Sequence, residues 1–205
     1  MSAVSSGGVV LDGVGQGWWL VASEDDGSRR VVGGPFPQRT DASWAAGAHA
    51  DRGSGSVRPV YGVRRADGVL HHRPSPQEWA WLAHLGGQLD RLPEDWDTGL
   101  SDDDPLATLV VEVAAALAEA GLPLHDSTGP DREAGGACLT PETGLGIVLT
   151  WRQHDRMSVD QLHGAAADTA VQRVMNTALA EVLRARGFVV DAFGGASGHV
   201  IRLAD

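Results

Sequence analysis

The sequence predicts an α+β protein in which antiparallel β-hairpins alternate with helices packed on the sheet face, a two-layer sandwich. Short apolar runs occur in pairs joined by turn residues, and amphipathic stretches stand between the pairs. Hairpins cannot supply the crossover connections of a parallel sheet, so the sheets should be antiparallel. The sequence leaves open whether the two halves are similar, since no residue motif recurs between them.

The chain begins with small, polar and Gly-rich residues, so we expect 1–16 to be a flexible leader. The apolar run 18–22 and the pair 31–32 form the first predicted hairpin, with polar turn residues between them. Gly and Pro residues within 33–37 are expected to end its second strand. These features place the start of an N-terminal domain at residue 17.

A short helix and a second hairpin follow. The helix should run through 44–50, capped by Thr40 or Asp41, whose side-chain oxygens can accept a first-turn amide. The hairpin should pair 57–65 with 69–73 across an Asp-Gly turn, because these residues tolerate the positive φ of a tight turn.

The next helix has a clear start signal. Ser75, Pro76 and Glu78 form a capping box with proline at the first helical position. Apolar residues then recur every three or four positions, namely Trp79, Leu82, Leu85, Leu89 and Leu92. Trp81 falls off this face, so it is a candidate exposed anchor for a protein partner.

The predicted domain boundary is an acidic segment. Residues 93–104 contain six Asp or Glu residues and separate an N-terminal domain, 17–92, from a C-terminal domain, 105–205. Pro105 should open a helix with one apolar face, formed by Leu106, Leu109, Val110, Val113, Ala114 and Leu117.

The remaining elements are a hairpin, a long helix and a final hairpin. Strands are expected at 137–140 and 145–153, and a helix at 165–186 that Gly187 should end. The last hairpin should pair 188–193 with 199–203 around a Gly-rich turn.

Charge and composition narrow the functional classes. The 205-residue chain has 16 basic residues, all of them Arg, and a net charge of -11. Residues 93–205 hold seven Arg and eighteen acidic residues, so that half should repel nucleic acid. Nucleic-acid binding is therefore unlikely, and would have to use arginines of the charge-balanced first half, which are Arg29, Arg30, Arg58, Arg64, Arg65 and Arg73.

The same composition indicates a cytoplasmic protein. No apolar run approaches the ~20 residues that cross a bilayer, and a basic n-region is missing at the N-terminus. The lone Cys138 agrees with a reducing compartment.

The densest polar cluster lies at 150–156. A pocket formed by the last two hairpins could bring His154 and Arg156 to His199. Trp151 and Arg152 belong to the same predicted binding cluster, although a strand end whose arginines Arg152 and Arg156 pair with nearby carboxylates is the simpler explanation of it. The sequence indicates no catalytic residue, no metal ligands and no cofactor, because ligand and nucleophile spacings are lacking.

The cluster also carries a resemblance. The segment Thr-Trp-Arg-Gln-His-Asp-Arg-Met-Ser-Val-Asp-Gln, followed by Gly-Ala-Ala-Ala-Asp, resembles uncharacterised proteins of high-GC actinobacteria. This resemblance covers the last third to half of the chain and implies no activity. The leading functional expectation is a non-enzymatic interaction or regulatory protein that holds a protein partner, including a second copy of itself. The alternatives are a small-molecule binder or enzyme with a site near the C-terminal hairpins, and a nucleic-acid-associated protein.

Overall fold

The computed structural model describes residues 15–23, 27–50, 56–101, 103–131, 133–158, 164–193 and 198–202. The chain divides into two compact units, Met1–Trp81 and Leu82–Asp205. This division lies before the acidic segment at which the sequence placed the boundary. Most of the predicted leader lies outside the described residues, and its last two residues, Gly15 and Gln16, belong to the first strand.

The N-terminal unit contains one four-stranded antiparallel sheet and a helix. Its elements are β1 (Gly15–Ser23), β2 (Arg29–Phe36), α1 (Arg39–Ala50), β3 (Ser56–Arg64) and β4 (Leu70–His72). The strand order is β2-β1-β3-β4, so the first strands of the two hairpins lie side by side in the centre. The antiparallel α+β architecture predicted from the sequence is confirmed.

Helix α1 packs on one face of this sheet. Trp18 and Leu20 of β1 form a buried cluster with Ala42 and Ala46 of α1. The alanines present only methyl groups to Trp18 and Leu20, so the helix packs closely on these side chains. The Trp18 ring also meets the Tyr61 ring edge-on, at 5.3 Å between centroids.

Two predicted boundaries in this unit are wrong. Strand β2 does not end at the glycines but continues to Phe36, which pairs with Trp18 after an irregularity in the register. Gly34 absorbs this irregularity, since its φ of 116° is open to glycine alone. Helix α1 begins at Arg39, so Thr40 and Asp41 lie in its first turn and do not precede it as caps.

Helix α2 (Pro76–Leu89) starts as predicted, and the division between the units falls within it. The Ser75 N–H donates to Glu78 Oε2 at 2.5 Å and the Glu78 N–H donates to Ser75 Oγ at 3.2 Å. The predicted apolar face is wrong in its first turns, because Trp79 is 60% exposed while Trp81, the expected exposed anchor, is half-buried.

The C-terminal unit combines helices with a second antiparallel sheet. Its elements are α3 (Pro105–Glu119), β5 (Gly136–Glu142), β6 (Gly146–Arg152), α4 (Asp155–Ser158), α5 (Gly164–Ala185), β7 (Val189–Ala192) and β8 (His199–Arg202). The strand order is β5-β6-β8-β7, so here the second strands of the hairpins are central. The two sheets therefore differ in which strands lie inside, and similarity of the halves stays a prediction.

Helices α3 and α5 pack on this sheet and on each other. Their buried apolar side chains include Leu109, Val113, Leu117, Leu179 and Leu183, and the sheet contributes Leu139, Ile147, Leu149 and Ile201. The three-and-four spacing marks the core residues of α3 and of the second half of α5, whereas Val171 and Val174 in its first half are 37% and 64% exposed. None of the helices in the described ranges has the length and apolarity to span a bilayer.

Short helix α4 was not predicted, because the sequence pattern there indicated only the end of a strand. The turn expected between β7 and β8 lies outside the described residues.

The acidic segment has a structural role at the N-terminus of α3, and this role can be tested. Asp104 caps α3, with its Oδ1 accepting from the Leu106 N–H at 2.8 Å. We expect Asp104→Ala to lower the free energy of unfolding by about 1 kcal/mol, because a first-turn amide loses its partner. Urea denaturation measures this loss, and the exposed neighbour Asp103 is the control. Equal losses for Asp104→Ala and Asp103→Ala would show that charge, and not capping, is responsible.

Candidate functional site

The residues of the predicted binding cluster at the end of β6 form contacts with their neighbours in sequence. The exposed Arg152 forms an ion pair with Asp155 at 3.1 Å, as the simpler explanation of the cluster predicted. The Nδ1 of His154 accepts from the Arg156 N–H at 3.1 Å across the start of α4. Trp151 is half-buried in β6. These contacts order the strand end.

His199 lies elsewhere on the sheet. It is paired with Leu149 of β6, five positions before His154. At ~3.3 Å per residue, the strand carries the chain about 10 Å from Leu149 to Arg152 before α4 begins. Among the described residues, His199 forms no hydrogen bond with His154 or Arg156, and their convergence in one pocket stays a prediction.

A polar seam, formed by Trp151, Gln153, Gln172 and Asn176, joins β6 to α5. The described pairs of β6 with β8 end at Leu149. Asn176 Oδ1 accepts from the Trp151 N–H at 2.7 Å, and the Gln172 side chain donates to the Trp151 carbonyl. Gln153 Nε2 donates to the Asp168 carbonyl at 2.8 Å. The buried amides thus extend the sheet's hydrogen bonding onto a helix.

The polar seam predicts a specific loss of stability. Asn176 is 1% exposed, and Asn176→Ala leaves the Trp151 N–H without an acceptor. We expect a loss of about 1–3 kcal/mol in the free energy of unfolding, measured by urea denaturation. The adjacent Thr177 is the control, since it is exposed and its hydroxyl donates only to the Arg173 carbonyl within α5. A loss no larger than that of Thr177→Ala would contradict a structural role for the seam.

His199 carries a pH dependence. Burial lowers its pKa from the ordinary value of 6.5, the Arg184 guanidinium lowers it further, and Glu181 opposes both. Between the lowered folded pKa and 6.5 the unfolded chain binds more protons than the native protein. The stability contributed by neutral His199 is therefore complete above pH 6.5 and is lost as the pH falls through the folded pKa.

We expect His199→Gln to reduce the loss of stability between pH 7 and about pH 5, since glutamine does not titrate. Thermal unfolding across this range measures the effect. The exposed His71 of β4 provides the matched control, His71→Gln. An unchanged pH slope in His199→Gln would show that this histidine is not responsible.

A pocket with a volume of about 910 Å³ lies in the N-terminal unit. We call it the arginine pocket, because five guanidinium groups line it. The arginines are Arg29, Arg30, Arg39, Arg58 and Arg64. The wall also contains the aromatic rings of Trp18, Tyr61 and Trp81 and the imidazole of His72.

The register of the sheet explains how distant arginines meet. Val21 of β1 is paired with Val31 of β2 on one side and with Arg58 of β3 on the other, so all three point to one face. Arg29 lies two residues before Val31 and points to that face too. The Cα atoms of Arg29 and Arg58 are on the order of 12 Å apart by strand spacing, and their long side chains can reach one ligand between them.

Two of the five guanidinium groups are held against tryptophan rings. Arg39 lies 5.7 Å from the centroid of Trp18, and Arg64 lies 5.6 Å from that of Trp19. Stacking on an aromatic face restricts the orientation of a guanidinium group. Arg64 also donates through Nε to the Gly68 carbonyl at 3.3 Å.

The two carboxylates in the pocket wall, those of Asp67 and Glu78, accept hydrogen bonds from backbone N–H groups close to them in sequence. Asp67 Oδ1 accepts from the Val69 N–H at 2.9 Å in the β3–β4 turn. Hydrogen bonds from the Ser75 backbone and hydroxyl lower the pKa of Glu78, and the charges of His72 and Arg39 lower it further. Both carboxylates are thus oriented toward local donors.

Positive charge therefore dominates the pocket. The described part of the N-terminal unit contains seven arginines against Asp41, Asp67 and Glu78. Arg29 and Arg58 form no ion pair with any residue that the structure describes, and both are exposed.

The free edge of β3 is closed to an added strand. The Tyr61 carbonyl accepts from the Arg73 N–H, so the backbone N–H and C=O of Tyr61 point toward the β4 side of β3. Backbone groups alternate in direction along a strand, so those of Val57 and Pro59 point to the same side, beyond the end of β4. Pro59 has no N–H to donate there. Recognition in the pocket must therefore rely on side chains.

Sequence reasoning found part of this site. Arg29, Arg30, Arg58 and Arg64 were named together as a charged group, but Arg65 and Arg73 do not line the pocket, and Arg39 was missed. Strand alternation was the available signal, since it places Arg58 and Arg64 on one face and Arg65 on the other. Within the described ranges, His, Cys, Asp and Glu side chains form no group of three that could hold a metal.

Comparison with known proteins gives no match. Neither a family model, nor a curated protein, nor a solved structure resembles the chain significantly. Function must therefore be argued from the side chains of the two units.

Proposed function

We propose that the protein binds a small anionic molecule, bearing carboxylate or phosphate groups, in the arginine pocket of the N-terminal unit. The observation that carries the proposal is the pair of exposed arginines, Arg29 and Arg58, which face one pocket without a described ion-pair partner. An anion would supply the partner that the described residues do not.

Guanidinium chemistry supports an anionic ligand. Arginine presents a rigid fork of N–H donors that matches carboxylate and phosphate oxygens two at a time. Such charge-assisted hydrogen bonds are stronger than neutral ones, and Val21 and Val31, which share the sheet face of Arg58 and line the pocket, provide apolar surface beside them. Pockets that combine apolar walls with a few placed polar groups are typical of small-molecule sites.

Size and charge favour a small ligand over a polymer. The volume of about 910 Å³ lies in the range of roughly 300–1,000 Å³ found for small-molecule sites. A nucleic acid would feel the net charge of -11 over a longer path than a compact anion would. Pro59 also disfavours a peptide that adds to β3 as a strand.

Contact with a protein partner, the function favoured by the sequence, is the second candidate. The observation in its favour is that α2 exposes Trp79 by 60% and Leu82 by 50%. Large exposed aromatic side chains often anchor interfaces. The residue that the sequence assigned to this role, Trp81, instead lines the arginine pocket.

Removing the two arginines tests the proposal. We expect the double variant Arg29→Ala and Arg58→Ala to weaken binding of pyrophosphate or citrate by about 10-fold or more, measured by isothermal titration calorimetry. The matched control is Arg65→Ala with Arg73→Ala, which removes the same charge from exposed positions outside the pocket.

The control should change the affinity by less than about 3-fold, because screening limits the effect of distant surface charges. Equal weakening in both double variants would mean that only net charge matters. Absence of binding by the unaltered protein to every carboxylate and phosphate probe would overturn the proposal.

A further inference from the structure

The acidic segment 93–104 carries charge that its own surroundings do not neutralise. Between Arg91 and Arg132 the sequence contains no basic residue other than His125. Glu94, Asp95, Asp97 and Asp103 are exposed, and none of them forms an ion pair with a described residue. The segment is therefore a source of free carboxylates.

Tight turns hold these carboxylates close together. The Trp96 N–H donates to the Pro93 carbonyl at 3.0 Å, the Thr98 N–H to the Asp95 carbonyl at 3.0 Å, and the Leu100 N–H to the Asp97 carbonyl at 2.9 Å. Successive turns of this kind keep the backbone compact around the exposed residues Glu94, Asp95 and Asp97. A compact surface loses little conformational entropy when it binds.

We propose that the acidic segment of one copy of the protein occupies the arginine pocket of a second copy. The inference rests on the proposed anion-binding function of the pocket. It names a protein ligand that competes with the small anion for the pocket. Charge complementarity supports it: the unneutralised carboxylates lie in one unit and the unneutralised guanidinium groups of Arg29 and Arg58 lie in the other.

This contact has defined consequences. The contact joins two different surfaces, the acidic segment of one copy and the pocket of the other. Two copies can therefore form a closed dimer in which each segment occupies the other copy's pocket. Exposed ion pairs are individually weak and are screened by salt, so association should be modest and salt-sensitive. A small anion that binds the pocket should displace the segment, and the segment would thereby regulate access to the site.

The test is the molar mass of the full chain, measured by size-exclusion chromatography with light scattering. At about 100 μM protein we expect a mass above that of the monomer in about 25 mM NaCl and the monomer mass in about 500 mM NaCl. Addition of pyrophosphate at constant ionic strength should shift the low-salt sample to the monomer.

Two variants locate the contact. The triple variant Glu94→Gln, Asp95→Asn, Asp97→Asn should be monomeric at low salt, and so should Arg29→Ala with Arg58→Ala. The matched control removes three exposed carboxylates elsewhere in the C-terminal unit, through Glu112→Gln, Glu133→Gln and Glu142→Gln. It should retain the higher mass, and circular dichroism should show that every variant is folded.

A monomer at low salt, or loss of association in the control triple variant, would overturn the inference. These results leave the proposed function intact if calorimetry still shows that pyrophosphate binding depends on Arg29 and Arg58. If no anion probe binds but association still depends on Arg29 and Arg58, the proposed small-anion ligand is wrong. The acidic segment then remains as the occupant of the pocket.

Discussion

The register of β1 against β3 is the constraint on which the N-terminal unit depends. Nine residues of β1 are paired without interruption with nine residues of β3, from Gly15 opposite Arg64 to Ser23 opposite Ser56. This pairing turns Trp18 and Tyr61 toward α1 and turns Val21 and Arg58 to the opposite face. A slip of one residue would exchange the two sets, since side chains alternate along a strand. Core and binding surface are thus set by the same hydrogen bonds.

In the C-terminal unit, hydrogen bonds attach the end of a central strand to a helix. The described pairs of β6 with β8 end at Leu149, and the backbone groups of Trp151 in β6 need partners. Gln172 and Asn176 of α5 provide them, and Gln153 returns a hydrogen bond to the start of that helix. Polar side chains at the layer boundary therefore attach the helix to the sheet more specifically than apolar contacts alone, because their hydrogen bonds have a preferred direction.

Patterns that depend on local chemistry could be predicted from the sequence. The capping box at Ser75 and the long amphipathic helix α5 formed as expected, because their signals come from neighbouring residues. The continuation of β2 through Pro35 could not be predicted, since it depends on pairing with Trp18. The sequence also grouped most of the pocket arginines but not Arg39, which reaches the site only because α1 packs over Trp18. Long-range pairing decides which charges meet, and the sequence does not encode it as a short pattern.

Proline at position 59 has a consequence for the behaviour of the chain in a crowded cell. An exposed strand edge can template the backbone of another molecule, and such pairing leads toward amyloid-like aggregates. Strand β3 runs past the end of the three-residue β4, and the missing amide of Pro59 interrupts the ladder that an incoming chain would need. Pro59 therefore disfavours templated growth at the one stretch of β3 that extends beyond its short neighbour.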